Sequence, residues 1–329
     1  MSDIRLSMAI SDYEHTRDLV HGVVKPKGIE LTAMVYEVEE IFYRFTKNRE
    51  WDISELSMGK YAAFKSQDDA SLTAIPVFPS RFFRQSSLYV RTDSPLTKAS
   101  ELAGKRIGIP EWAQTASIYT RGWIEHDIGI PLSEIEWVQA GVNDPGRVEK
   151  VDLNLPDRIR YSSRPDSSLS QMLLDGEIDV AMTARSPRPY EQGDGSLRHL
   201  LPDWRQIERD YYRDTGIFPI MHVMAVKSAA YEANPWIAME LLKAFEEAKA
   251  RSLRRLTNYS ASRMPIPWGY ALAEEAMAEF GDDYYPYGVE DNRKTLETYL
   301  RYAYEQGVCA RQLTVDELFP SEVRGEFRT

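Results

Sequence analysis

Four short stretches of the chain carry residue types able to grip an anion and move a proton. In Gly216–His222, GIFPIMH, a histidine closes an otherwise apolar run. An imidazole there must find a hydrogen-bond partner, and it changes charge near neutral pH. His222 is therefore either a proton carrier or a core side chain bonded to a carbonyl, and Phe218 in the same stretch is a candidate ligand contact. In Asp52–Ser57, DISELS, strand alternation places Asp52, Ser54 and Leu56 on one side and Ile53, Glu55 and Ser57 on the other. Glu55, near a strand end, can act as general acid or base, or it can be a cap or a surface acid.

The cations sit elsewhere. In Arg81–Ser86, RFFRQS, two arginines flank two aromatic residues. A guanidinium fork matches carboxylate oxygens, and each charge-assisted bond contributes roughly 1.5–3 kcal/mol, so Arg81 and Arg84 together would hold a dicarboxylate. The alternative is a solvated loop whose arginines pair with surface acids. In Trp112–Ser117, WAQTAS, a helix beginning after a strand would offer free backbone N–H groups and a positive dipole end to an anion. Gln114 and Thr115 are the candidates there, although a threonine at such a place also serves as a plain helix cap. A last polar cluster, Asp12, His15 and Arg17, follows the first strand, and strand ends of open α/β sheets are where ligands bind.

These stretches need strands and helices that bring them together. Ile4–Ala9, Ile29–Tyr36, Asp52–Leu56 and Leu72–Val77 read as strands, interleaved with helices at His15–Val20, Glu37–Thr46 and Lys60–Phe64. Strands alternating with helices predict an α/β architecture with mainly parallel sheets. Further strands are expected at Arg106–Ile109, Glu136–Gln139, Ile178–Met182 and Ile217–Lys227, and helices near Thr115–Asp127, Leu169–Asp175 and Pro235–Arg251. Residues 143–168, rich in Asp, Pro and Arg, read as a loop with one or two short strands. The run Leu88–Pro110, LYVRTDSPLTKASELAGKRIGIP, resembles the place where a type 2 periplasmic-binding-protein fold crosses from its first lobe to its second. That resemblance implies a two-lobed α/β protein with a central cleft: residues 1–90 in the first lobe, 91–222 in the second, and 223–329 returning to the first.

Composition narrows the functions. The 329 residues suit two lobes of roughly 100–200 residues each. A net charge of −11 argues against nonspecific nucleic-acid binding, which needs a basic face, yet local arginines still set the potential of a cleft. The single cysteine, Cys309, can form no internal disulfide, and the five histidines show no HxH or HExxH spacing, so no metal site is expected. There is no GxGxxG, no GxxxxGKS and no GxSxG pattern. No stretch approaches ~18 consecutive apolar residues, so no membrane span is expected. The start MSDIRLSMAISDYEH lacks both a cationic, apolar leader and a lipobox cysteine, which predicts a cytoplasmic protein. A homo-oligomer is left open.

The segments SDYEHTRDL, ISELSMGKY, IPVFPSRFFRQSSLYVR, GKRIGIPEWAQTASIYTRGWI, DYYRDTGIFPIMH and YGVEDNRKTLE together resemble the 4,5-dihydroxyphthalate decarboxylase family nearly end to end. The resemblance implies a cytoplasmic enzyme that removes one carboxylate from a catechol dicarboxylate nonoxidatively, giving protocatechuate and carbon dioxide with no organic cofactor. Carried over segment by segment, it implies Asp12, Glu55 and His222 for acid–base work. It implies Arg17, Arg81, Arg84, Ser86 and Thr115 for binding. Gln85 departs from the expected pattern, which has histidine at that place. The opposing expectation is a solute receptor or sensor that binds an aromatic or carboxylate ligand without reacting it, since fold does not fix function. An enzyme acting on another hydroxylated aromatic acid is the third.

Overall fold

Alternation in IRLSMAI makes Ile4–Ile10 the first strand, β1, with Leu6, Met8 and Ile10 buried. The computed structural model describes residues 3–261 and 263–325. Ten more strands follow: β2 (Ile29–Val35), β3 (Ile53–Ser57), β4 (Leu72–Ile75), β5 (Leu88–Arg91), β6 (Arg106–Ile109), β7 (Glu136–Gly141), β8 (Arg160–Ser168), β9 (Val180–Met182), β10 (Leu197–His199) and β11 (His222–Lys227). They form two sheets. The first runs β2-β1-β3-β11-β4, parallel from β2 through β3, with β11 antiparallel to both its neighbours. The second runs β10-β5-β9-β6-β7-β8, parallel from β9 through β8, with β5 antiparallel to β9 and to β10. Residues 91 and 223, where the sequence changes lobe by expectation, are the last residue of β5 and the second of β11.

Four helices matter for the site. α1 is Arg17–Val20, α2 Val38–Asn48, α3 Met58–Ser66 and α4 Thr115–His126. α2 is amphipathic, burying Ile41 and Phe45 one turn apart. α4 is buried almost throughout, and it comes close to the helix Arg293–Glu305 because Gly122 has no Cβ, which would meet the Tyr302 ring at 2.1 Å. Helix Arg293–Glu305 packs against both α3 and α4 and so ties the two sheets together. Just beyond it, the Gln306 carbonyl accepts from Trp112 Nε1 at 2.8 Å, and Gln306 Oε1 accepts from Arg121 Nε at 2.9 Å. One apolar cluster accordingly runs from the first sheet into the second. A smaller one, including Val138, Leu169, Leu173 and Ile178, lies apart from it in the second lobe.

Two expectations need correction. The return strand starts at His222, not Ile217, since Pro219 offers no N–H to a ladder and Ile217–Met221 makes only an isolated bridge, Ile220 with Arg81. The segment 143–168 ends in a nine-residue edge strand, β8, whose exposed polar face gave no apolar run to recognise. Among the described residues no helix is long and apolar enough to cross a membrane.

Candidate active site

β3 is a central strand, and all five of its residues are buried. Glu55 and Ser57 share one face of it by the two-residue period. Because His222 pairs with Ser57 in the antiparallel register, His222 falls on that same face, diagonal to Glu55. The diagonal closes as a 2.6 Å contact between His222 Nδ1 and Glu55 Oε1. β1, parallel to β3, delivers two more donors. The Ser11 N–H bonds Glu55 Oε2 at 2.8 Å, and the Tyr13 hydroxyl donates to Glu55 Oε1 at 2.6 Å. Glu55 is wholly buried, whereas the His222 side chain keeps 16% of its surface accessible. An ionised carboxylate only accepts, so the arrangement puts the imidazole hydrogen on Nδ1 and leaves Nε2 able to take or give a proton. Burial beside Glu55 pushes the Tyr13 phenol far above its ordinary range, which keeps it a neutral donor.

His222 lines a cavity of about 490 Å³, a size that suits a small aromatic molecule. Phe42 of α2 stands edge-on to the imidazole, centroids 4.9 Å apart. The opposite wall is the start of α4, with Gln114, Thr115 and Ala116. Thr115 Oγ1 accepts the Gly59 N–H at 2.9 Å and lies 2.9 Å from Ser57 Oγ, so one hydroxyl joins α4 to the start of α3. Gly59 allows this approach: a Cβ there would sit 2.3 Å from the Ala113 carbonyl oxygen.

The cavity is cationic where it counts. Arg147 is occupied by Glu39 at 3.0 Å and Glu111 at 2.7 Å, and Glu111 also takes Lys150 at 3.0 Å. Lys60, Arg84 and Arg185 also line the cavity, and none of them has a carboxylate within 4.0 Å among the described residues. Arg84 lies over the Phe82 ring at 4.6 Å, and its Nε points to Met221 Sδ at 3.2 Å. Among the described residues its terminal nitrogens have no hydrogen-bond partner. Burial lowers the Arg84 guanidinium to about 10, opposed by the charge of Glu208. A larger hollow, about 980 Å³, opens near Glu240, Glu246, Asp283 and Asp291, but its acidic lining repels an anion and it holds none of these groups.

The structure brings together Glu55, His222, Arg84, Gln114 and Thr115. It sets the other expected residues apart. Arg81 is buried and committed to the fold, donating to the Phe218 carbonyl at 3.0 Å, the Pro286 carbonyl at 2.6 Å and Asn292 Oδ1. Phe218 stacks on Phe83 at 4.8 Å and is not in the cavity lining. The buried Ser86 gives its N–H to Glu208 at 2.9 Å. Arg17 is exposed and 3.5 Å from Glu14, and Asp12 is exposed on the loop after β1. Gln85, in place of the expected histidine, is buried and accepts the Arg84 N–H at 3.2 Å. Sequence reasoning passed over Tyr13, Phe42, Lys60 and Arg185. Lys60 did leave a signal, a lone cation among the small and apolar residues MGKYAAF, which fold as a buried helix face.

A two-lobed α/β scaffold whose strand ends present a histidine–carboxylate pair to a cationic cavity defines a binding-protein-like fold equipped for acid–base chemistry. The comparisons agree on the fold. The periplasmic aliphatic sulphonate binding protein SsuA of Escherichia coli superposes with a TM-score of 0.52 at 14% identity, covering 100% of this chain and 95% of that one. No family model matches the sequence. The 4,5-dihydroxyphthalate decarboxylase of Comamonas testosteroni is 35% identical over 320 residues, 97% of each chain. That of Pseudomonas putida is 37% identical over 214 residues, 65% of this chain and 83% of its own. The chain belongs to the 4,5-dihydroxyphthalate decarboxylase family.

Proposed function

We propose that the protein decarboxylates a hydroxylated aromatic dicarboxylate of the 4,5-dihydroxyphthalate type, releasing carbon dioxide and protocatechuate with no organic cofactor. The observation that carries this reading is the Glu55–His222 pair opening on a cavity whose nearest free cations are Arg84, Arg185 and Lys60. A receptor would need the cations but not a buried carboxylate that fixes the tautomer of an imidazole.

Loss of carbon dioxide from an arene leaves an aryl anion unless the ring carbon is protonated first. The hydroxyl para to the departing carboxylate solves this. Once deprotonated, it pushes its electron pair into the ring and onto that carbon. His222, protonated on Nε2 and steadied through Nδ1 by Glu55, gives the carbon its proton. The bond to the carboxylate then breaks, its electron pair restores the aromatic ring, and carbon dioxide leaves. The hydroxyl regains its proton as the product leaves, so each turnover consumes one net proton, which returns to His222 from solvent. Arg84 and Arg185 hold the carboxylate that stays, because tight clamping of the one that leaves would stabilise the ground state more than the transition state. The test is carbon dioxide release across a panel of phthalates with hydroxyls at different ring positions. Release is expected only where a hydroxyl lies para to a carboxylate. Ligands that bind without releasing carbon dioxide would refute the reading.

A further inference from the structure

Lys60 is the cation in the cavity that the binding of the retained carboxylate does not use. It sits on the first turn of α3, only 5% exposed, with no protein acceptor and no carboxylate within 4.0 Å of its ammonium among the described residues. Desolvating an ammonium without a close counter-ion costs several kcal/mol, and here only Glu111 and Glu149, both beyond 4.0 Å, offset that cost. Its Nζ lies 5.6 Å from the centroid of the Phe42 ring, which also meets His222 edge-on. One aromatic side chain thus spans the lysine and the imidazole across the same cavity.

Glu37 also lines the cavity, and the other nearby carboxylates already have close partners. Glu111 is bound to Arg147 and Lys150, Glu39 to Arg147, and Glu149 to the N–H groups of Trp112 and Ala113 at 2.6 and 3.2 Å. Arg185 adds a further positive charge to the lining. Arginine forks match the two oxygens of a carboxylate, whereas an ammonium is a point donor matched to one oxygen. We propose that Lys60 binds the ring hydroxyl para to the departing carboxylate and holds it as the phenolate. The hydroxyl proton passes to solvent as the ligand binds. The phenolate pair then drives the ring carbon to accept its proton from His222, the pair returns to oxygen when carbon dioxide leaves, and that oxygen takes a proton back from solvent as the product is released. Burial, opposed by Glu111, sets the Lys60 ammonium at about 8, close enough to neutrality to share a proton with a phenol.

This inference rests on the decarboxylase reading, and protocatechuate separates the two. Phenolates absorb at longer wavelength than phenols. Protocatechuate bound to the wild type at pH 7 is expected to show the phenolate band, although free protocatechuate does not. Lys60→Met should bind it as the phenol and at least ~10-fold more weakly, while its affinity for unhydroxylated phthalate changes by less than about threefold. Lys60→Arg should keep the band. A phenol spectrum in the wild type, or a phenolate band that survives Lys60→Met, would overturn the inference and leave the decarboxylase reading standing. Failure of protocatechuate to bind the wild type would overturn both. A phenol spectrum in the wild type overturns the inference even if Lys60→Met fails to fold, and Lys60→Gln then serves as the second variant.

Discussion

His222 and Glu55 lie 167 positions apart in the chain and 2.6 Å apart in the fold. Their meeting is set by register. β11 runs antiparallel to β3 with His222 opposite Ser57, so a slip of one residue would turn the imidazole to the other face of the sheet. The pair is therefore as rigid as the sheet, and rigidity is what a proton carrier needs if its free nitrogen is to meet one ring carbon.

Glu55→Gln tests the tautomer. An amide can donate to Nδ1, which moves the imidazole hydrogen to Nε2 and spoils the carrier while keeping its shape. The expected outcome is a fall in kcat of about 10²- to 10⁴-fold with KM within about threefold. Steady-state kinetics at pH 7 checks it, and a loss confined to KM would assign Glu55 to binding instead.

Arg81 and Arg84 should part company. Arg84→Ala removes a free guanidinium from the cavity and is expected to raise KM about 10-fold or more, with the melting temperature little changed. Arg81→Ala strands the acceptors at Phe218, Pro286 and Asn292 and is expected to cost about 3 kcal/mol or more of stability. Thermal melts beside substrate titrations separate the two, and a reversed pattern would show that the cavity has been misassigned.

His15 predicts an acid limit. Its ring is enclosed by Tyr13, Tyr285 and Tyr287, with centroids at 5.5, 4.7 and 6.1 Å. Burial, aided by the Lys249 charge, holds the imidazole at about 4, below its ordinary 6.5. The unfolded chain binds this proton more readily than the folded one, so the stability is fully present above pH 6.5 and is lost as pH falls towards 4. The loss amounts to about 3 kcal/mol. Urea midpoints between pH 7 and pH 4 should show that fall in the wild type. His15→Phe should flatten the part of it due to this group, and an unchanged slope would exclude His15 as its source.

The alternation of strands and helices made the fold legible, because a period of two and a period of 3.6 are written locally. The start of the return strand is not legible, because the apolar run extends back across Pro219 while the ladder begins only at His222. Glu55 and His222 each stood out as residue types, but the register that joins them is a property of the sheet, not of either segment. Arg81 and Arg84 look alike in RFFRQS. Only packing against Phe218 and Pro286, well over a hundred residues away, makes one structural and leaves the other free. Arg185 is an ordinary surface residue type with no local signal of its place in the cavity, whereas Lys60 stands out only as the lone cation of MGKYAAF.

The most direct test measures carbon dioxide released from 4,5-dihydroxyphthalate by the wild type and by His222→Gln, at equal occupancy fixed from their measured binding. One equivalent of carbon dioxide per substrate is expected from the wild type, and a rate at least about 100-fold lower from the variant. Equal rates from the two proteins, or a wild type that binds the compound and leaves it intact, would contradict it.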